Sequence, residues 1–167
     1  MQITIEPAVP ENAEALLAFL RQIGGETDNL SFGPEGLPVT AAQEAAYLGQ
    51  LEGSCDSLLL LAKENGSVIG NASLNRHRRR MYHRGEISVA VARSHWNKGI
   101  GSRLLDHLIT FAKENAFELL ELQVRSDNLP AIHLYQKYGF QKLCTFPAFF
   151  KIENQYIDFD LMYLRLS

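Results

Sequence analysis

The sequence predicts an α/β fold: a mixed sheet flanked by helices, antiparallel except for one central parallel strand pair, within one domain over residues 1–167. Three observations carry this expectation. Glu86–Ala92 alternates Ile87, Val89 and Val91 against Glu86, Ser88 and Ala90, the period of a half-buried strand. It leads through a glycine-bearing turn into an amphipathic helix that runs to about Asn115, with Ile100, Leu104, Leu105, Leu108, Phe111 and Ala112 inward. Glu118–Arg125 then reads as a strand, and a strand reached through a crossover helix pairs in parallel.

The remaining elements follow in order. Gln2–Glu6 is a short strand. From Pro10 a helix carries Ala13, Leu16, Leu17, Leu20 and Ile23 on one stripe, with Gly24-Gly25 expected to stop it. Glu26–Pro38 is a loop, and Thr40 with Gln43 forms a capping box for a second helix to about Leu51. Ser57–Glu64 is a strand whose Leu58–Leu61 run suits burial on both faces. Asn65-Gly66 is a type I′ hairpin signal leading into a strand from Ser67 to about Asn75. Ser126-Asp127-Asn128 with Pro130 opens a short helix that Gly139 ends. Two strands, about Phe140–Ile152 and Gln155–Leu166, close the chain across a turn at Glu153-Asn154.

Composition narrows the function. With 167 residues and 46% apolar content the chain can bury a substantial core, and no segment is long and charge-free enough to span a bilayer. The first residues carry no basic region and no apolar region of a signal peptide, and Cys55 and Cys144 stand alone without metal-ligand spacing. A reducing, cytoplasmic setting and no metal are therefore expected. The net charge of −3 argues against nucleic-acid binding by the whole surface. Five arginines lie within Arg76–Arg84; a solvated hairpin tip explains them, and so does recognition of an acidic partner. No serine or cysteine sits in an elbow sequence such as G-x-S-x-G, and His107 and His133 are expected on exposed helix faces.

The turn ahead of the long helix reads Ser94-His95-Trp96-Asn97-Lys98-Gly99-Ile100-Gly101. A glycine turn feeding a helix N-terminus aims unpaired backbone N–H groups at one spot, which suits phosphate, although a tight connection alone also needs glycine. Arg103 after Gly101-Ser102 excludes a Walker A loop, and Leu104 excludes the G-x-G-x-x-G dinucleotide fingerprint. The spacing instead resembles the acyl-CoA loop of the GNAT superfamily of N-acetyltransferases, Q/R-x-x-G-x-G/A, with Trp96 in the Gln/Arg position as a departure. Downstream, Asn128-Leu129-Pro130-Ala131-Ile132-His133-Leu134-Tyr135-Gln136-Lys137-Tyr138-Gly139-Phe140 resembles that superfamily's N-x-x-A-x-x-L-Y-x-K-x-G-F.

The resemblance implies acetyl-CoA as co-substrate, a V-shaped opening where the parallel strands splay, and direct attack by an amine on the thioester. Trp96, Asn97, Lys98, Gly99, Ile100, Gly101 and Ser102 would cradle the pyrophosphate, and Val89, Val91 and Asn128 would meet the pantetheine arm. Asn128 is equally a helix N-cap, and the two valines equally a sheet ladder. Glu86 would help deprotonate the amine and Tyr135 would protonate the departing thiolate; otherwise they read as a solvated strand-end carboxylate and a core tyrosine. Glu26 and Asp28 are candidates to attract a cationic small-molecule or protein amine. Phe146, Phe149, Phe150 and Tyr156 suit an acceptor wall, a homodimer interface or ordinary core. A non-catalytic acyl-CoA sensor on the same fold is the alternative, and an arginine-hairpin nucleic-acid binder a further one.

Overall fold

The computed structural model describes residues 2–166. Strands β1 (Ile3–Pro7), β2 (Ser57–Glu64), β3 (Ser67–Arg76), β4 (Arg84–Val91), β5 (Leu119–Arg125), β6 (Gln141–Ile152) and β7 (Gln155–Arg165) form one sheet. Their spatial order is β1-β2-β3-β4-β5-β7-β6, so the closing hairpin sets its second strand beside β5. Every neighbouring pair is antiparallel except β4 and β5. Helices α1 (Ala13–Glu26), α2 (Ala41–Leu51), α3 (Ile100–Glu114) and α4 (Leu129–Lys137) connect them in the expected order.

The parallel pairing is short. It runs only from Arg84↔Leu119 to Glu86↔Glu121. Beyond that point β4 stays bound to β3 as far as Val91, and β5 stays bound to β7 as far as Arg125. Each strand keeps its outer partner and loses its inner one, so the sheet opens between them.

Two hydrophobic layers hold the sheet. On one face Leu60, Leu74, Ile87 and Leu120 pack beneath Leu104, Leu105 and Leu108 of α3. On the other, Leu61 packs with Leu16, Leu17 and Ile23 of α1 and Leu48 of α2. Adjacent leucines of β2 thus serve opposite layers, which is why its sequence is a continuous apolar run. The Thr40 capping box forms as expected, with Gln43 N donating to Thr40 Oγ1 at 3.1 Å and Thr40 N donating to Gln43 Oε1 at 2.9 Å.

Two local expectations need correction. Gly24-Gly25 does not end α1, which continues to Glu26 after a 3-10 turn at Pro10–Asn12. A Cβ on Gly24 would lie 2.0 Å from the carbonyl oxygen of Gly33, so this glycine admits the returning loop rather than stopping the helix. Arg76, the first residue of the basic run, is not solvated: its side chain is 3% exposed. Its guanidinium lies 3.7 Å from the centre of the Phe117 ring and 4.2 Å from that of Tyr82. It donates to the carbonyls of Tyr82, Cys55 and Asn115, and pairs with Asp56 at 2.9 Å. Arg78, Arg79 and Arg80 remain exposed on a 3-10 turn.

Asp160 of β7 ties the far side of the opening together. Its buried carboxylate accepts from Ser126 Oγ at 2.7 Å, ahead of α4, and from Thr145 Oγ1 of β6 at 2.8 Å. Burial works to raise its pKa, but these two hydroxyls and the Lys142 ammonium outweigh it and hold the group below the ordinary carboxylate range. A carboxyl more acidic in the folded state than in the unfolded one stabilises the fold above the unfolded value, about 3.9, and loses that contribution as pH falls through the folded value. Asp160→Asn is therefore expected to cost about 1–2 kcal/mol at pH 7. It should also flatten the loss of stability below about pH 4. Urea titrations at pH 7 and pH 3 check both.

Candidate active site

The opening is built first from backbone. Ala92 N donates to Ile69 O at 2.9 Å, and in an antiparallel pair the residues that face the partner alternate. Ala90 and Ser88 therefore turn their backbone groups to β3, while Val89 and Val91 turn theirs toward the place β5 has vacated. No bulge is needed for this; the divergence of the strands leaves that edge open. Trp96 occupies one of these groups, its indole N–H donating to Val91 O at 2.8 Å.

The sequence Ser94–Gly101 then turns the chain into α3. Asn97 and Gly99 adopt φ of 62° and 78°, and left-handed Gly99 is the N-cap of α3. A Cβ on Gly99 would meet open space, so its positive φ is what calls for glycine there. Gly101 differs: a Cβ there would come within 3.2 Å of Leu134, so it permits close packing of α3 on α4. The first helical bond is Arg103 N to Gly99 O at 3.1 Å, which leaves the N–H groups of Ile100, Gly101 and Ser102 without helical partners. The turn itself is tied down on its far side. His95 Nε2 lies 2.7 Å from Glu64 Oε2 at the end of β2, and its Nδ1 lies 2.8 Å from Ser94 Oγ. The His95 hydrogen bond, aided by the charges of His95 and Lys98, holds the Glu64 carboxyl below its usual range.

A cavity of about 420 Å³ joins these parts. It is lined by Val89, Val91, Trp96, Asn97, Gly99, Ile100, Gly101, Ser102, Asn128 and Tyr135, ten residues that the sequence singled out. Asn128 serves α4 as well, accepting from Ala131 N at 3.4 Å. Tyr135 is 7% exposed and packs edge-on against Phe140 with ring centres 5.7 Å apart. Burial pushes its phenol up to about 12, so it keeps its proton across the working range of an enzyme.

Four sequence candidates do not line the cavity: Lys98, Glu86, Glu26 and Asp28. Lys98 and Asp28 are exposed. Glu86 forms with Glu121 the last pair before the strands part, on the α1 face of the sheet. The Glu26 carboxylate is already engaged: Oε1 accepts from Arg93 N at 2.9 Å and Oε2 from Gln22 Nε2 at 3.0 Å. Arg93 in turn donates to Glu26 O, and its guanidinium lies 5.5 Å from the Trp96 ring centre. Glu26 therefore caps the 3-10 turn at Arg93–His95 and braces the turn that precedes α3. The backbone hydrogen bond from Arg93 is the main cause of its lowered pKa.

On the opposite wall the sequence pointed to Glu26 and Asp28, at and just after the end of α1, but other residues form it. Thr27, Asn29 and Leu30 reach the cavity from the segment after α1, and Gln123, Arg125 and Phe159 reach it from β5 and β7. Thr27, Asn29 and Leu30 carry little signal because they stand in an irregular segment, and Gln123, Arg125 and Phe159 because each reads as an ordinary strand residue. Together the two walls make a passage through the sheet. Val124, Leu134 and Tyr135 border it on the α3–α4 face, and Ile23, Ala90 and Phe159 on the α1 face.

Unpaired strand edge beside a helix N-terminus suits a ligand that is extended at one end and anionic at the other. The chain belongs to the acetyltransferase (GNAT) family, whose model matches residues 26–140. It is 32% identical over 111 residues to the L-amino acid N-acyltransferase MnaT of Escherichia coli (strain K12), covering 65% of this chain and 64% of that protein. The chain thus spans somewhat less than two thirds of this curated relative. Among solved structures it is similar to an acetyltransferase of the GNAT family from Streptococcus pneumoniae, with a TM-score of 0.95, 31% identity and coverage of 99% and 100%. A phosphinothricin acetyltransferase from Sinorhizobium meliloti, solved in complex with AcCoA, shares the fold at a TM-score of 0.84 and 22% identity, over 100% of this chain and 90% of that one.

Proposed function

We propose that this chain is an acetyl-CoA-dependent N-acetyltransferase acting on a primary amine of a small molecule or protein. One observation carries the reading: the unpaired edge of β4, the N-terminus of α3 and the buried phenol of Tyr135 meet in one cavity. The residues fit the co-substrate. The N–H groups of Ile100, Gly101 and Ser102 suit a pyrophosphate, with Trp96, Asn97 and Gly99 around them and Lys98 as an outlying charge. The edge of Val89 and Asn128 across from it suit the amides of a pantetheine arm. Bound there, acetyl-CoA supplies an activated acyl carbonyl.

The remaining chemistry belongs to the chain. An alkylammonium keeps its proton to a pH of about 10, so the acceptor must surrender it before attack. Glu86 is suited to take that proton, directly or through water, from the α1 face. As the C–N bond forms and the C–S bond breaks, the Tyr135 hydroxyl is suited to give its proton to the sulfur. A cytoplasmic setting suits such a co-substrate. The catalytic reading is preferred to a passive sensor because a protonated, buried phenol is placed in the cavity, and binding alone does not require one.

The test is incubation with acetyl-CoA and a panel of primary amines, following free thiol and product mass together. Cofactor-dependent stabilisation with no thiol and no product would favour the sensor. Glu26 offers a further check, since its capping contacts act on the turn and not on the acceptor. A cap of this kind contributes about 1 kcal/mol. Glu26→Ala is accordingly expected to raise KM for acetyl-CoA about fivefold and leave KM for the amine within about twofold.

A further inference from the structure

The passage through the sheet has a second mouth on the α1 face, and its chemistry differs from that of the cofactor side. Phe159 of β7 reaches the cavity there while being 3% exposed. Its ring centre lies 4.4 Å from that of Phe150 and 4.8 Å from that of Phe149. Phe149 stacks on Phe150 at 5.6 Å and meets Phe146 edge-on at 5.3 Å. A register shift between Phe146 and Phe150 bends the edge strand β6 at this point, with Ala148 at a φ of 54°. Ala148 N donates to Asp158 Oδ1 at 2.9 Å, which secures the bend. The bulge thereby lays Phe149 and Phe150 against Phe159. Ile23 and Leu30 supply apolar surface from the α1 side of the same mouth.

Charge lies on this same face where the strands part, beside the cavity and not in its lining. Glu121 is matched by His77 at 2.5 Å and by Arg84 at 3.6 Å. Glu86, its in-register neighbour, has no cationic partner among the described residues. The row of Glu86 and Glu121 continues to Tyr163 on β7, four residues from Phe159, or about 13 Å along the strand. Glu86 lies two strands across from β7, so its Cα stands about 16 Å from that of Phe159, a span that the two side chains bridge together with a ring carried on a short alkyl amine.

We infer that the acceptor is a primary amine bearing an aromatic or similarly flat apolar group. Its ring lies against Phe149, Phe150 and Phe159, and its nitrogen points toward Glu86. This rests on the acetyltransferase reading for the transfer step but concerns only the acceptor side. One unmatched carboxylate suits a single ammonium, and the phenylalanine wall offers nothing to the further charges of a polyamine.

The experiment compares kcat/KM for 2-phenylethylamine, n-propylamine and spermidine at saturating acetyl-CoA. The first two both carry a primary amine on a short unbranched alkyl chain, so their ratio reports the ring. The expected preference for 2-phenylethylamine is about 10-fold or more over each of the others. Phe149→Leu and Phe150→Leu should each bring that ratio down severalfold, with circular dichroism showing that both variants fold. Saturation-transfer NMR of 2-phenylethylamine with protein and CoA reads binding without turnover. Selective binding with no transfer would overturn the acetyltransferase reading and uphold the inference. Transfer with equal or better use of propylamine or spermidine would overturn the inference alone. Variants that keep the ratio but change the sedimentation mass would make this wall an interface between copies and would also overturn it. No binding of the aromatic amine and no transfer to any of the three would overturn both.

Discussion

Tyr135→Phe is expected to lower kcat about 100-fold while leaving KM for acetyl-CoA within about twofold. The change removes one oxygen from a side chain that is 7% exposed, and the ring contact with Phe140 survives, so the fold should be unaffected. The loss would fall on the step in which the sulfur takes a proton. The raised pKa adds a second, independent outcome. With the phenol pushed up to about 12, the proton is present at every pH from 6 to about 10, and kcat of the unaltered protein should show no descending alkaline limb in that range. A descending limb near the ordinary tyrosine value of about 10 would mean that the phenol is not held in the buried state described. Steady-state kinetics between pH 6 and about 10, on both proteins, decide the matter.

Arg76→Leu is expected to be the most damaging single substitution for stability in the basic run. The guanidinium sits between two rings and donates to three backbone carbonyls from three separate segments, ending at Cys55, Tyr82 and Asn115. Leucine would leave those carbonyls without their donor and the Phe117 ring without its cation. Breaking a buried charge network of this kind typically costs about 3–5 kcal/mol. For a chain of this size that corresponds to a fall in Tm of about 10 °C. Arg78→Leu, at an exposed position of the same run, should change stability by no more than about 0.5 kcal/mol. Differential scanning calorimetry on the two variants separates a staple from a solvated tip. Equal melting temperatures would show that the packed position of Arg76 contributes nothing.

Arg76 and its neighbours in the basic run differ in burial in a way their order in the chain does not reveal. Five arginines in nine residues look alike in a one-dimensional chain, and charge patterning can say only that such a run is usually solvated. Arg76 closes β3, where its neighbours include Phe117 and the end of α3, some forty residues away in sequence. Glu26 illustrates the same gap. An acidic residue opening a loop reads as an exposed charge that could attract an amine, yet its carboxylate is spent on Arg93 N, 67 residues along the chain. Gly24 reads as a helix stop because glycine is a poor helix former, but the close approach of Gly33 determines its role.

Local chemistry was legible in the residues alone for most elements. The periodicities of two and 3.6 set the eleven elements and their order, the Thr40–Gln43 box set the start of α2, and Gly99 set the left-handed turn into α3. These depend on contacts within a few residues, so adjacent letters suffice. Three features depend on which distant surfaces meet: the place of β7 between β5 and β6, the end of the β4–β5 pairing at Glu86, and the two-sided passage between Tyr135 and Phe159. The second partner of β7, the length of the parallel pairing and the cavity walls come from packing between segments distant in the chain, which the order of residues does not encode.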